Sequence, residues 1–163
     1  MHLDYTKVII LILWWRNFQL EYWRTFQLVS TLKEGQIERP ALLDSNNVYK
    51  VMYPVLCDIS TEEVWVLLLN SSSKLIRKVR ISCGGLNTAL VDVRVAMRQA
   101  LYYNAVSFIM VHNHPSGARK PSSADDRLTE AVKKAAETLD IRLVDHVIVA
   151  GNNYYSYADE GKL

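Results

Sequence analysis

His112-Asn-His-Pro-Ser-Gly-Ala-Arg-Lys-Pro-Ser-Ser-Ala-Asp125 places two histidines, a serine and an aspartate around a loop bounded by proline and glycine. The run just before it, Ala105-Val-Ser-Phe-Ile-Met-Val111, is short, apolar and rich in strand formers, and predicts a buried strand. Side chains two apart on an extended chain project to one side, so His112 and His114 aim at one point while Asn113 faces away. Pro115 has no N–H to give to a ladder and stops the strand there. Beyond the loop, Leu128, Val132, Ala135 and Leu139 recur at helical spacing and predict a helix with one buried face. Asp125 then lies in its first turn, within reach of both imidazoles over the strand end.

Two histidines and one carboxylate give a tetrahedral zinc ion three ligands and leave one position for water, the arrangement of catalytic rather than structural sites. Imidazole and carboxylate also suit other divalent ions. The same residues have a plainer reading, because Ser122-x-x-Asp125 ahead of an apolar run is a variant capping box that finishes a helix start without any metal. What favours the metal is the combination. A His-x-His at a strand end, a tight loop and a helix start carrying Ser and Asp require one another's geometry.

The segment resembles the JAMM metal motif of MPN (JAB) domains, and matches it at every position. More narrowly, the chain is similar to the bacterial RadC family in His112-Asn-His-Pro-Ser-Gly117, Pro121-Ser-x-x-Asp125 and Asp140-Ile-Arg-Leu-Val-Asp-His-Val-Ile-Val149. The glycine-rich Ser82-Cys-Gly-Gly-Leu-Asn87 and the C-terminal Tyr155-Ser-Tyr-Ala-Asp-Glu-Gly161 fit as well. That resemblance runs from about Ile37 to the C-terminus. It implies an α/β fold of MPN (JAB) type, a mixed sheet flanked by helices in a cytidine-deaminase-like α/β/α arrangement. It also implies that His112, His114 and Asp125 ligate one Zn²⁺ per chain, and that Ser122 helps to hold the oxyanion of a tetrahedral intermediate.

The resemblance further calls for a glutamate near the start of an early strand, acting on the zinc-bound water as general base and then acid. The strand is Glu62-Glu-Val-Trp-Val-Leu-Leu-Leu69. Counting back from Asn70 the RadC pattern points to Glu62, while other MPN enzymes place theirs one residue closer, which keeps Glu63 open. Alternation lets only one of the pair face the metal, and the other is expected to be a solvated edge charge. A one-residue slip or bulge reverses the choice. Zinc brings the pKa of its bound water to about 7, and the resemblance implies that this water hydrolyses an amide or isopeptide bond in a protein or peptide substrate. Ubiquitin-like modifiers are not carried over. Asn113 stands where eukaryotic deubiquitinases usually have Ser or Thr, and no long insertion is present to grip a modifier.

With 163 residues, 50% of them hydrophobic, the chain is expected to form one domain with a core that needs no staples. A net charge of +2 argues against a strong nucleic-acid footprint and leaves room only for weak phosphate contacts. The basic clusters Lys74 to Arg80 and Arg119-Lys120 read as solvated surface. Cys57 and Cys83 form no metal-type pair and suit a reducing, cytoplasmic compartment, with Cys83 expected to be a small buried thiol. Residues 1–36 are set apart as an apolar N-terminal extension ahead of a domain over residues 37–163. Its run Val8-Ile-Ile-Leu-Ile-Leu-Trp-Trp15 is too short for a bilayer span, which needs about 20 residues. No small-residue cleavage site follows it.

The RadC name carries an association with DNA repair, so an accessory or binding module in DNA metabolism is the alternative to an enzyme. Fuller RadC proteins carry a helix-hairpin-helix segment ahead of the MPN domain, and the residues before Ile37 are too few and too apolar to supply it. The rest of the chain predicts a short helix after Asp44, which Pro54 must end or bend, and strands over 62–69 and 74–82. A helix follows Asp92, with Val93, Met97, Ala100 and Leu101 sharing its inner face, and strands over 142–150 and 154–157 complete the chain. Gly84-Gly85 reads as a tight connection that brings Leu86 to Thr88 close to the metal pocket. His146, beside Asp145, reads as a core histidine or a second-layer partner tied to a carboxylate. Nothing in the sequence fixes the oligomeric state.

Overall fold

Strands whose neighbours cover both faces must be largely apolar, and the apolar runs Val64–Leu69 and Phe108–Val111 form adjacent inner strands of the sheet. The computed structural model describes residues 39–84 and 91–163. Within them, helix α1 (Ser45–Leu56) precedes the antiparallel pair β1 (Glu63–Leu69) and β2 (Leu75–Cys83). Helix α2 (Val93–Tyr102), strand β3 (Ser107–Asn113), helix α3 (Ser123–Thr138), and strands β4 (Arg142–Ala150) and β5 (Asn153–Ser156) follow. The sheet order is β2-β1-β3-β4-β5. Among the described strands only β3 and β4 run parallel, joined by α3 as crossover; the other pairs are antiparallel. The α/β class and the mixed sheet expected from the sequence are therefore present.

One face of the sheet, through Leu67, Leu69, Ile109, Val111, Val147 and Val149, buries Val48, Met52 and Leu56 of α1. The opposite face, through Val64, Val66, Leu68, Phe108 and Met110, packs on α2 and α3 through Ala96, Met97, Ala100, Val132 and Ala136. Each large apolar side chain withdrawn from water in this way contributes about 1.5–3 kcal/mol, so the three layers need no disulfide, and both cysteines are free. Asp44 caps α1 by accepting from the Asn47 N–H, as a Ser/Asn/Asp start signal predicts. Pro54 is accommodated in its last turn and the helix stops two residues later at Leu56, with no cis peptide among the described residues.

Two helix faces differ from the sequence pattern. The buried face of α3 is Asp125, Thr129, Val132 and Ala136, not Leu128, Val132, Ala135 and Leu139; Leu139 is 41% exposed. The helix is turned so that two polar residues point inward, where each has hydrogen-bond partners. In α2 the inner residues are Ala96, Met97 and Ala100, while Leu101 is exposed. Apolar spacing alone assumes an oily interior, and the inner end of α3 is not one. Residues 1–38 lie outside the described residues, and with them the expected N-terminal extension. The same holds for Leu86 to Thr88. Among the described residues no helix is long and apolar enough to cross a membrane.

Candidate metal centre

The carboxyl end of β3, the first turn of α3 and the residue before β1 meet at one place. Ligand-type atoms of Glu62, His112, His114 and Asp125 all lie within 4.8 Å of one another. His112 Nε2 is 2.9 Å from His114 Nε2. Asp125 reaches both rings, its Oδ1 3.3 Å from His112 Nε2 and its Oδ2 3.5 Å from His114 Nε2.

Local structure explains each placement. His112 is still inside the sheet, paired with Val64 on one side and Ile148 on the other, and is almost wholly buried. His114 follows the strand end, its backbone N–H donating to the Val149 carbonyl at 2.8 Å before Pro115 closes the ladder. Its Nδ1 lies 2.6 Å from the Ala118 carbonyl, which has no proton to give. Nδ1 must therefore donate, and the neutral ring keeps its Nε2 lone pair for the cluster. Asp125 sits in a complete capping box. The Ser122 N–H and hydroxyl both donate to Asp125 Oδ2, at 2.6 and 2.7 Å, and the Asp125 N–H donates back to Ser122 Oγ at 3.3 Å. The helix cap thus also aims the Asp125 carboxylate at the two imidazoles.

Glu62 is clamped from both sides. Its carbonyl accepts from the Gly84 N–H at 3.0 Å. Asn113 accepts from the Glu63 N–H at 2.8 Å and donates through Nδ2 to the Thr61 carbonyl at 2.9 Å. Asn113 does face away from the histidines, but it is buried and ties the Glu62 segment to β3, a task that sequence reading missed. The signal for it was a polar side chain on a strand otherwise covered on both faces. Glu63 is not the solvated edge charge expected of the second glutamate. It is 4% exposed and accepts from Arg80 at 2.7 Å and from the Trp65 indole at 2.9 Å, which compensates its burial. The carboxylate in the cluster is that of Glu62.

Burial raises the Glu62 pKa, with nearby His114 opposing and Asp125 reinforcing the shift. Burial lowers His112 to about 4, against the pull of Asp125, so its ring is neutral at physiological pH. Burial also pulls His114 down, but its bonds to Asp125 and the Ala118 carbonyl outweigh this and raise it. Asp125 is held well below the usual carboxylate range; burial opposes this, and the His114, His112 and Ser122 contacts prevail. Two imidazole nitrogens and an ionised carboxylate converging on one spot, with a second carboxylate alongside, form a donor set that fits a divalent cation.

A pH dependence follows. The folded His112 pKa lies below its unfolded value, so its stabilising effect is full above pH ~6.5 and is lost as pH falls towards 4, roughly 3 kcal/mol from this residue. His146, also pushed well down by burial, acts in the same direction, while His114 opposes it. Urea unfolding of metal-free protein should show a midpoint that drops between pH 7 and 5. A flat profile would contradict the neutral, buried His112.

Other residues singled out by sequence fall as follows. Cys83 is exposed at the end of the edge strand β2, not buried. Arg80 of the basic hairpin is engaged by Glu63, and Arg119 donates to the Tyr154 carbonyl at 2.8 Å. The Asp145 carboxylate accepts from the backbone N–H of His146 and from Ser156 and Ala158, so it is not the partner of the His146 ring. That ring lies instead beneath His112.

Paired histidines at a strand end, an aspartate in the next helix start and a glutamate held before the neighbouring strand define an α/β domain with a candidate metal centre. The family model of the RadC-like JAB domain matches residues 42–162, and the chain belongs to that family. It is 37% identical over 145 residues to a UPF0758 protein of Flavobacterium johnsoniae, covering 85% of this chain and 63% of the relative. To a UPF0758 protein of Porphyromonas gingivalis it is 44% identical over 126 residues, 77% of this chain and 56% of the relative. A third, from Streptococcus gordonii, is 38% identical over 131 residues, 80% and 58% of the two chains. The chain thus spans about three-fifths of the length of these relatives.

Proposed function

We propose that this domain is a zinc-dependent hydrolase that cleaves an amide or isopeptide bond in a protein or peptide. The observation that carries the reading is the convergence of ligand-type atoms of Glu62, His112, His114 and Asp125 within 4.8 Å of one another. His112, His114 and Asp125 would hold the ion. When bound, zinc supplies a Lewis acid and a water acidic enough to ionise near pH 7.

The chain's own groups then divide the work. Glu62 accepts a proton from the attacking water, and its burial-raised pKa suits a group that must later release it. As the C–O bond forms and the C–N bond breaks, Glu62 returns that proton to the leaving amine. Ser122 donates its hydroxyl to the oxyanion, exchanging its present acceptor, Asp125, for the substrate. Asn113 and Gly84 keep Glu62 in place on opposite sides of its peptide.

The test is hydrolysis of a panel of fluorogenic peptides and isopeptide-linked lysine conjugates by zinc-loaded protein. Activity should vanish on treatment with a chelator and return with added zinc. Cleavage that ignores the chelator would refute a metal mechanism. A folded, zinc-loaded protein inert on the whole panel would move the reading to a non-catalytic module.

A further inference from the structure

His146 is wholly buried on β4, and its contacts form a line of hydrogen bonds that ends on Nδ1 of His112. The line starts in α3. Thr129 Oγ1 is 2.7 Å from the Asp125 carbonyl, an oxygen without a proton, so the threonine hydroxyl must donate there. Its single proton is then committed. His146 Nδ1 lies 2.6 Å from the same hydroxyl and must be the donor in that contact. The two ring nitrogens of this wholly buried imidazole meet a hydroxyl and another imidazole, with no carboxylate to compensate a charge, so the ring stays neutral and a proton on Nδ1 leaves Nε2 bare. His112 Nδ1 is 2.8 Å from that bare Nε2 and must carry a proton itself. The neutral His112 ring is thereby left with its lone pair on Nε2, the atom facing His114 and Asp125.

We infer that His146 and Thr129 are positioning residues that fix the tautomer of His112 and so present Nε2 to the metal. The inference rests on the metal-site reading and adds to it a cause for the ring's orientation. Tyr157 completes the arrangement. Its ring stacks on His146 at 4.8 Å and 7° between planes, and its hydroxyl is anchored on Asp126 at 2.8 Å, so the His146 ring is held against rotation. Outer partners that orient a metal-bound histidine typically change affinity about 10- to 100-fold when removed. Here the partner is a second histidine relaying a choice made by a threonine on the helix that also supplies Asp125. The inward turn of α3 follows from the same need, since only that rotation places Asp125 and Thr129 together on the buried face.

The experiment uses the full chain, with Thr129→Val as the near-isosteric break in the line and Thr129→Ser as the variant that keeps the hydroxyl. Long-range ¹H–¹⁵N NMR of the metal-free protein reads the imidazole tautomers, and competition with a chelating dye reads zinc affinity. Wild type and Thr129→Ser should show Nδ1–H at both His112 and His146. Thr129→Val should shift His112 towards the Nε2–H form and weaken zinc about 10- to 100-fold with the fold intact by circular dichroism. An Nε2–H tautomer at His112 in the wild type, which needs no variant to detect, would overturn the inference. So would unchanged zinc affinity in folded Thr129→Val. Wild-type protein that takes up no zinc at all would instead overturn the metallohydrolase reading, and the tautomers would still decide this one.

Discussion

Glu62→Gln should leave the metal in place and reduce hydrolysis by about 10²- to 10⁴-fold, the usual weight of a positioned general base. Glutamine is close in shape to glutamate, and the hydrogen bonds that hold this segment act on its backbone, from the Gly84 N–H to the residue 62 carbonyl and from the Asn113 side chain to the flanking residues 61 and 63. The variant therefore loses the proton acceptor and little else. Glu63→Gln is the natural control. Its carboxylate is spent on Arg80 and Trp65, so its change should lower the unfolding midpoint and leave turnover close to wild type. Retained activity in Glu62→Gln together with loss in Glu63→Gln would move the base by one residue and contradict the clamp described above. The two profiles are read from kcat alongside zinc content, so that a lost metal is not mistaken for a lost base.

Asp125→Ala should lose the metal altogether. This carboxylate spans both imidazoles and is the one fully ionised group among the three donors, so its removal is expected to weaken zinc binding by more than about 100-fold, beyond the range for outer partners. It also dismantles the capping box, which alone costs about 1 kcal/mol at a helix start. Asp125→Asn separates the two effects. The amide oxygen still accepts from Ser122, so the helix start survives while the charge that attracts the cation is gone. Unchanged metal content in folded Asp125→Asn or Asp125→Ala would remove Asp125 from the ligand set.

How much of this was legible depended on whether the signal was local. His112, His114, Ser122 and Asp125 lie on one short stretch, and strand alternation plus a helix start place them without knowledge of the rest of the chain. The order of elements and the layered α/β/α plan were legible for the same reason. The preference for Glu62 over Glu63 came from the resemblance and not from local pattern, because it hangs on where β1 begins, and that is set by Asn113 and Gly84, distant in sequence. The inner face of α3 was misread because Thr129 and Asp125 look like surface residues until their buried partners are known. His146 was assigned to its sequence neighbour Asp145, but adjacent residues on a strand point to opposite faces, and the ring finds His112 instead. Exposure of Cys83 follows from its place on an edge strand, which no local pattern announces.

We propose that His112, His114 and Asp125 form a competent zinc site. Its most direct test is the metal content of purified, untagged protein, measured by native mass spectrometry after mild dialysis without chelator. About one zinc per chain is expected, in keeping with a single three-ligand site. A folded chain that carries no metal and takes up none from added zinc would contradict it.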